Sequence, residues 1–446
     1  MKKLKLFNLA WPIFVETALF MLLGFIDVFV LSKYDDLAAS SVNAANQAVS
    51  IVTIVFTVIS GASAILISQY LGAENKEGAS RISALCITFN VFFGIIISVI
   101  LLIFSKQILM FIGAKGQVLE YASQYLSIVG GFLFLQALLN AISVIIRNYG
   151  MTQISMYVTV AMNVINTVLD IVFVLGLFGV PRLGVKGVAI ATTFSRIIGA
   201  IILVIVLFTK VEKLSIFKLL KPFPFEDVKN IVKVGVPSAL ETFLYNLSQL
   251  VVTSVVLNQL GDTELVTKTY VQSITMFFYI FSVSIGQASQ IITGHLVGAK
   301  EFDEAYKQGL KGYRNALFIT LGISVIGIIF RVQLMNIFTN DANVISMGSN
   351  VLIINILLEI GRTTNLVIIA CLRGSGDVFF PTVCAIFSNW LISVLGSFVL
   401  VSLGFGIYGL WIALALDEFV RGVFVLIRWK NGKWRNKRIS VESKKI

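Results

Sequence analysis

Ten ionisable residues lie inside long apolar runs of this sequence: Glu16, Asp27, Asp170, Arg196, Glu241, Glu359, Arg362, Asp417, Glu418 and Arg421. Holding such a group at the centre of a bilayer costs about 2.5–3.5 kcal/mol on the insertion scale, so each needs a partner or a task. Asp27 sits in Gly24-Phe25-Ile26-Asp27-Val28, with no basic residue within a helical turn. Asp170 follows Asn166 by four residues, which puts both on one helix face. A carboxyl so placed can load and release a proton, or ligate Na⁺ with neighbouring amide and hydroxyl oxygens. Asp27 and Asp170 are therefore the candidates for a coupling-ion site.

The other charges divide between structural and functional readings. Glu359 and Arg362 are an acid and a base at i, i+3, whose simplest reading is mutual neutralisation. Arg196, Arg421 and the adjacent Asp417–Glu418 pair read as partnered or interfacial charges. Glu16 and Glu241 each follow a proline (Pro12, Pro237) by four residues. The proline should kink its helix and free backbone carbonyls, and a carboxylate one turn on attracts cations. Glu241 is thereby a candidate contact for a cationic substrate.

These residues need elements to hold them, and the composition says which kind. Of 446 residues, 57% are apolar and only 13% charged, and mean hydropathy is +0.92. A soluble chain carries about 25% charged residues, so this one cannot coat a set of soluble domains and must live in a lipid bilayer. Cys86, Cys371 and Cys384 are too few for a disulfide scaffold or CxxC metal site, and His295 is the only histidine, so no metal centre is expected. The net charge of +12 falls between and after the apolar runs, not along a groove with interleaved aromatics, so no nucleic acid is expected.

The apolar runs predict an all-α integral membrane protein with about twelve spans. The first six are expected near 7–32, 44–70, 83–104, 121–147, 152–178 and 185–209. The second six are expected near 229–258, 266–294, 313–333, 348–372, 378–403 and 406–430. No run alternates with the period of a barrel strand. The run after Lys2, Lys3 and Lys5 is too long for a signal-peptide core and reads as the first span. Lys and Arg are richer in the connections on the side of both chain ends, which predicts cytoplasmic termini.

The sequence also repeats. Pro12 and Glu16 return as Pro237 and Glu241, Gln69-Tyr70-Leu71-Gly72-Ala73 as His295-Leu296-Val297-Gly298-Ala299, and Arg147 with Asn163 as Arg373 with Asn389. All fall at an offset of 225 or 226 residues, the mark of a duplicated six-helix unit. Six is even, so the copies run parallel, and two such lobes would enclose a cleft with a midplane site. The expected division is an N-lobe over 1–210, a lysine-rich linker over 211–228 and a C-lobe over 229–446. Gly404-Phe405-Gly406-Ile407-Tyr408-Gly409 fits GxGxxG but has no βαβ unit around it, and reads as a turn. Gly179 to Lys186 lacks the ending of a phosphate-binding loop, so no ATP-driven pump is expected.

At these residues the chain resembles the multidrug and toxic compound extrusion (MATE) transporters. The likeness covers nearly the whole chain and includes Arg147…Gly150…Asn163…Asn166…Asp170 with its echo Leu372-Arg373-Gly374-Ser375-Gly376-Asp377. The resemblance implies that Asp27 on the first helix couples cation entry to export, joined by Asp170, Asn166 and Tyr125. It implies that Pro12 is where the first helix bends, with Pro237 as its counterpart. Where some members place a glutamate and an aspartate as a C-lobe cation site, this chain has Tyr245 and Arg362, with Glu241 and Glu359 one turn away. That departure favours protons over Na⁺ as the coupling ion.

The expectation is a monomeric secondary antiporter of the inner or plasma membrane. It would export amphipathic organic cations for protons, or less readily Na⁺, with no cofactor and no enzymatic activity. A flippase for lipid-linked oligosaccharides would need a cleft rich in Arg and Lys, for which only Arg196 and Arg362 stand out. An intramembrane enzyme would need a nucleophile with a base or a metal cage, and a scaffold would have no use for unpaired intramembrane carboxylates.

Overall fold

The computed structural model describes residues 4–439, and these are helical with no β-strand among them. Lys2, Lys3 and the end of the basic tail, which entered the orientation argument, lie outside the described residues. The first half forms α1 (Leu6–Ser32), α2 (Asp36–Gly72), α3 (Lys76–Phe111), α4 (Gly116–Gly131), α5 (Leu133–Asn148), α6 (Thr152–Leu175) and α7 (Val185–Val206). The second forms α8 (Phe225–Gln259), α9 (Asp262–Gly298), α10 (Phe302–Ile329), the short α11 (Arg331–Asn336) and α12 (Ala342–Ser375). It ends with α13 (Phe379–Ser388), α14 (Leu395–Leu400) and α15 (Gly406–Lys430).

Among the described residues ten stretches are long and apolar enough to cross a bilayer, and the pair α4–α5, bent by 47°, makes an eleventh. One of the ten is the 52-residue run Phe379–Lys430, far more than one crossing needs. Gly404 and Gly406 inside it have φ of +89° and +56°, a conformation that only glycine takes up without strain, and α13 and α14 pack back on α15. The run is therefore two spans with a turn at the glycines, which brings the count to twelve among the described residues. The expected fourth span is not a straight helix. Its backbone breaks at Phe132, after the weak helix formers Gly130 and Gly131, and Ser98 Oγ of α3 accepts the freed N–H of Phe134 at 2.9 Å.

The described residues fall into two compact units. One comprises Trp11–Ile67 and Lys76–Gly235. Here α3 packs on α4 and α5, and α7 on α4 and α6, around Leu31, Phe56, Leu101, Leu126, Leu133 and Val188. The other comprises the residues up to Ala10, Ser68–Asn75 and those from Val236 onward. There α12 lies against α9, α10 and α15 around Val252, Phe278, Leu352, Leu358 and Trp411. Outward faces carry bare hydrocarbon side chains such as Phe92, Ile95, Ile96 and Val99 on α3, which is stable only where the solvent is lipid.

The lysine-rich connection after α7 is packed onto the first of these units. A short 3₁₀ helix, Leu214–Leu220, lies on α3, Glu212 accepts from Ser80 Oγ at 2.7 Å and from the Tyr149 hydroxyl, and Arg81 pairs with Asp227. In the second unit the repeated Gly-Ala ends meet each other. A Cβ on Gly72 would lie 1.9 Å from the carbonyl oxygen of His295, and one on Gly298 would lie 2.1 Å from that of Gln69. Gln69 and His295 are repeat equivalents, as are Gly72 and Gly298, so the contact is reciprocal. His295 is buried in this crossing.

Candidate coupling site and polar cavity

The first unit brings Asp27, Asp170, Asn166 and Tyr125 together. α1 carries Asp27, α4 carries Tyr125, and Asn166 and Asp170 stack one turn apart on α6. All four are nearly or fully withdrawn from solvent. The amide orientation of Asn166 that satisfies both of its ends turns the nitrogen to the carboxyls. It then donates to Asp27 Oδ1 and Asp170 Oδ2, each at 3.1 Å, while its oxygen accepts the Thr192 N–H at 3.2 Å. One amide nitrogen thus holds both carboxyls close together. Two acids at that range can hold one proton between them, and two full charges there would repel. Tyr125 donates its hydroxyl to Asn46 Oδ1 of α2 at 3.2 Å.

One participant was not legible as such. Arg196 of α7 stands within electrostatic range of Asp27 and Tyr125. Asp27 has no cation on its own helix, but it has one across the unit. The signal in the sequence was that Arg196 lacks an acid on its own helix within one turn, so its partner had to come from elsewhere. Glu16, a turn beyond Pro12 in α1, faces Arg147 of α5 at 3.8 Å.

The second unit gathers the remaining candidates around a cavity of about 370 Å³. Glu241 and Tyr245 of α8, Tyr279 of α9, Arg362 and Arg373 of α12, and Glu418 and Arg421 of α15 line it, with Gln287, Gln290 and Asn365. Each lining carboxylate is engaged: Glu241 accepts from Arg373 Nη2 and Thr382 Oγ1, both at 2.7 Å. Glu418 accepts from Arg421 Nη2 at 2.7 Å and Asn365 Nδ2 at 2.6 Å. Glu359 does not line the cavity. It is fully buried behind Arg362 and holds that guanidinium at 2.7 Å, the neutralising pair expected from their spacing. Arg362 also lies over the Tyr279 ring at 4.7 Å. Pro237 is carried within α8 one turn before Glu241, as Pro12 is within α1. Sequence reasoning missed Arg373, Arg421 and Glu418 as parts of one site, because α8, α12 and α15 meet only in the folded unit.

Comparison with known proteins places this arrangement. A family model described as MatE matches residues 12–172 and again 237–399, two copies at the offset of the internal repeat. The uncharacterized transporter YisQ of Bacillus subtilis is 36% identical over 438 residues, 98% of this chain and 96% of that protein. A probable multidrug resistance protein, NorM of Thermotoga maritima, is 27% identical over 98% of this chain and 94% of its own length. A solved structure of a multidrug resistance MATE family transporter of the MOP superfamily, in an outward-facing conformation, superposes with a TM-score of 0.87. It is 20% identical, over 97% of this chain and 99% of that one, and shows the same fold. The doubled family match and the full-length relatives agree with the paired lobes and the spans, and the chain therefore belongs to the MatE family of multi-pass membrane transporters.

Proposed function

We propose that this chain is a secondary antiporter that exports amphipathic organic cations in exchange for protons, with Na⁺ as the alternative coupling ion. Asp27 and Asp170 are the proton-carrying pair, Asn166 bridges them, and Tyr125 closes the site towards Asn46. The observation that carries this reading is the buried Asp27–Asn166–Asp170 cluster, with both Asn166 bonds at 3.1 Å. Two carboxyls drawn together by one amide nitrogen suit a shared proton. Protonation cancels a charge beside Arg196 and weakens a charge-assisted bond from Asn166, so the packing of α1 on α6 differs between the loaded and empty states. Pro12 is the hinge through which α1 responds, and Pro237 is its counterpart in α8. Glu241, Glu359, Arg362 and Tyr245 serve the substrate in the second unit, directly or by holding its lining.

Each charge that moves down a potential of 100 mV supplies about 2.3 kcal/mol for export. We also propose cytoplasmic termini in an inner or plasma membrane, a monomer as the working unit, and lobes spanning 1–210 and 229–446 joined by 211–228. The test uses purified protein in liposomes loaded with a fluorescent organic cation, with proton and Na⁺ gradients imposed separately. Export driven by the pH gradient and lost in Asp27→Asn is the expected result. Export driven only by Na⁺ would replace the ion, and no movement under either gradient would refute the antiport reading.

A further inference from the structure

The cavity in the second unit offers more than a contact for a cation. Three guanidinium groups (Arg362, Arg373, Arg421) and two carboxylates (Glu241, Glu418) line it. Both carboxylates accept hydrogen bonds from an arginine and from a second donor. The two further acids that touch these arginines face away: Glu359 is fully buried, and Asp417 bonds Ser388 Oγ at 2.5 Å and Arg421 at 3.4 Å from inside the helix packing. The most exposed charged side chains of the set are Arg373 and Arg362, at 27% and 22%, ahead of Glu241 at 18% and Glu418 at 14%. A ligand entering therefore meets N–H donors before it meets a free carboxylate.

Arg362 has donors left over. It spends one N–H on Glu359 at 2.7 Å, while Glu418 stands at 3.9 Å, beyond hydrogen-bonding range. A guanidinium has five N–H groups in a planar fork matched to a carboxylate, so most of that fork remains for a ligand. The guanidinium lies over the Tyr279 ring, and Tyr245 lines the same space. Two tyrosine rings supply the flat apolar contact that an aromatic body needs. About 370 Å³ lies within the usual range for sites that hold small organic ligands.

We propose that this cavity is a binding site for aromatic carboxylates, with the acid group on Arg362 and the ring against Tyr245 and Tyr279. It adds an organic anion to the ligands of a chain read above as a cation exporter. It does not depend on that reading, because binding is measured at equilibrium with no gradient present.

The experiment is calorimetric titration of the purified full chain in detergent with 2-naphthoate, 2-naphthamide and 2-naphthylmethylammonium, corrected for uptake by empty micelles. Naphthoate is expected to bind at least about tenfold tighter than the neutral amide, because only it offers a charge-assisted bidentate contact. That preference should vanish in Arg362→Gln and return in part in Arg362→Lys. Because Arg362→Gln leaves Glu359 buried without its partner, the paired variant Glu359→Gln with Arg362→Gln is titrated as well, with a melting curve to verify folding. Loss of the naphthoate preference in the folded pair supports the site. Equal binding of naphthoate and naphthamide overturns it, as does tighter binding of the ammonium compound, or a preference that survives the paired variant. Failure of proton-driven cation export in liposomes would leave all of these outcomes unchanged.

Discussion

The two units keep the same framework and hold different chemistry within it. Each carries a proline inside its first helix, a glutamate one turn later, and an arginine that faces that glutamate: Glu16 with Arg147 at 3.8 Å, and Glu241 with Arg373 at 2.7 Å. At the same offset the coupling candidates have no counterparts. Asp27, Tyr125 and Asp170 correspond to Val252, Val351 and Gly396. In the other direction Arg362, Glu418 and Arg421 correspond to Gln136, Thr192 and Ser195. Duplication copied a scaffold, and the copies then diverged to an amide-bridged acid pair in one unit and a salt-bridged arginine cavity in the other. The lesson is that the repeated pair marks the shared scaffold, while the unrepeated charges mark where the two units differ in function.

The largest effect that could break this contrast is on transport. Asp27→Asn and Asp170→Asn should each bring gradient-driven export in liposomes down to the level of protein-free vesicles. Glu16→Gln should retain most of it, and the contrast fails if Glu16→Gln is as inactive as Asp27→Asn.

The repeated ion pairs should differ in stability. Removing one partner of a fully buried pair costs about 3–5 kcal/mol. The Arg373 and Glu241 side chains keep 27% and 18% exposure, which screens them, so Arg373→Ala should cost about 1–3 kcal/mol. The looser Glu16–Arg147 contact should cost less in Glu16→Ala, about 1 kcal/mol or below. Melting curves in detergent rank the two, and an equal loss would mean that the shorter distance carries no extra energy.

Crowding gives the next test. In Gly72→Ala the new methyl group meets backbone that cannot rotate away, at a cost of about 1–3 kcal/mol. Gly61→Ala, with open space around it, should be neutral or slightly stabilising, since alanine is the better helix former. A small effect is expected in Tyr125→Phe, which removes the bond to Asn46 at a cost of about 0.5–1.5 kcal/mol while sparing the Asn166 bridge. A complete loss of export in Tyr125→Phe would make its hydroxyl part of the proton path.

Much of this molecule could be read before it was folded, because a bilayer imposes a coarse rule that composition alone satisfies or fails. The apolar runs placed the spans, the internal offset showed the duplication, and the cost of charge in lipid pointed to Asp27 and Asp170. Local patterning also found the Glu359–Arg362 pair, whose partners lie three residues apart on one helix. It could not see the break at Phe132, which depends on Ser98 of a different helix taking up a stranded N–H. Nor could it say that the repeated Gly-Ala ends pack on one another, since close approach is a property of two backbones.

What the sequence by itself determined is the class: an all-α membrane protein, duplicated, with acids that need a reason to be where they are. Tertiary structure alone decided which charges meet. Asn166 bridges Asp27 and Asp170 only because α1 and α6 bring them within a hydrogen bond, and Arg196 comes into range only from α7. The arginines of the second unit become a cavity wall only where α12 and α15 converge. Periodicity and hydropathy act within one helix, whereas hydrogen bonds and ion pairs act over a few ångströms in space, and packing alone sets which distant residues come that close.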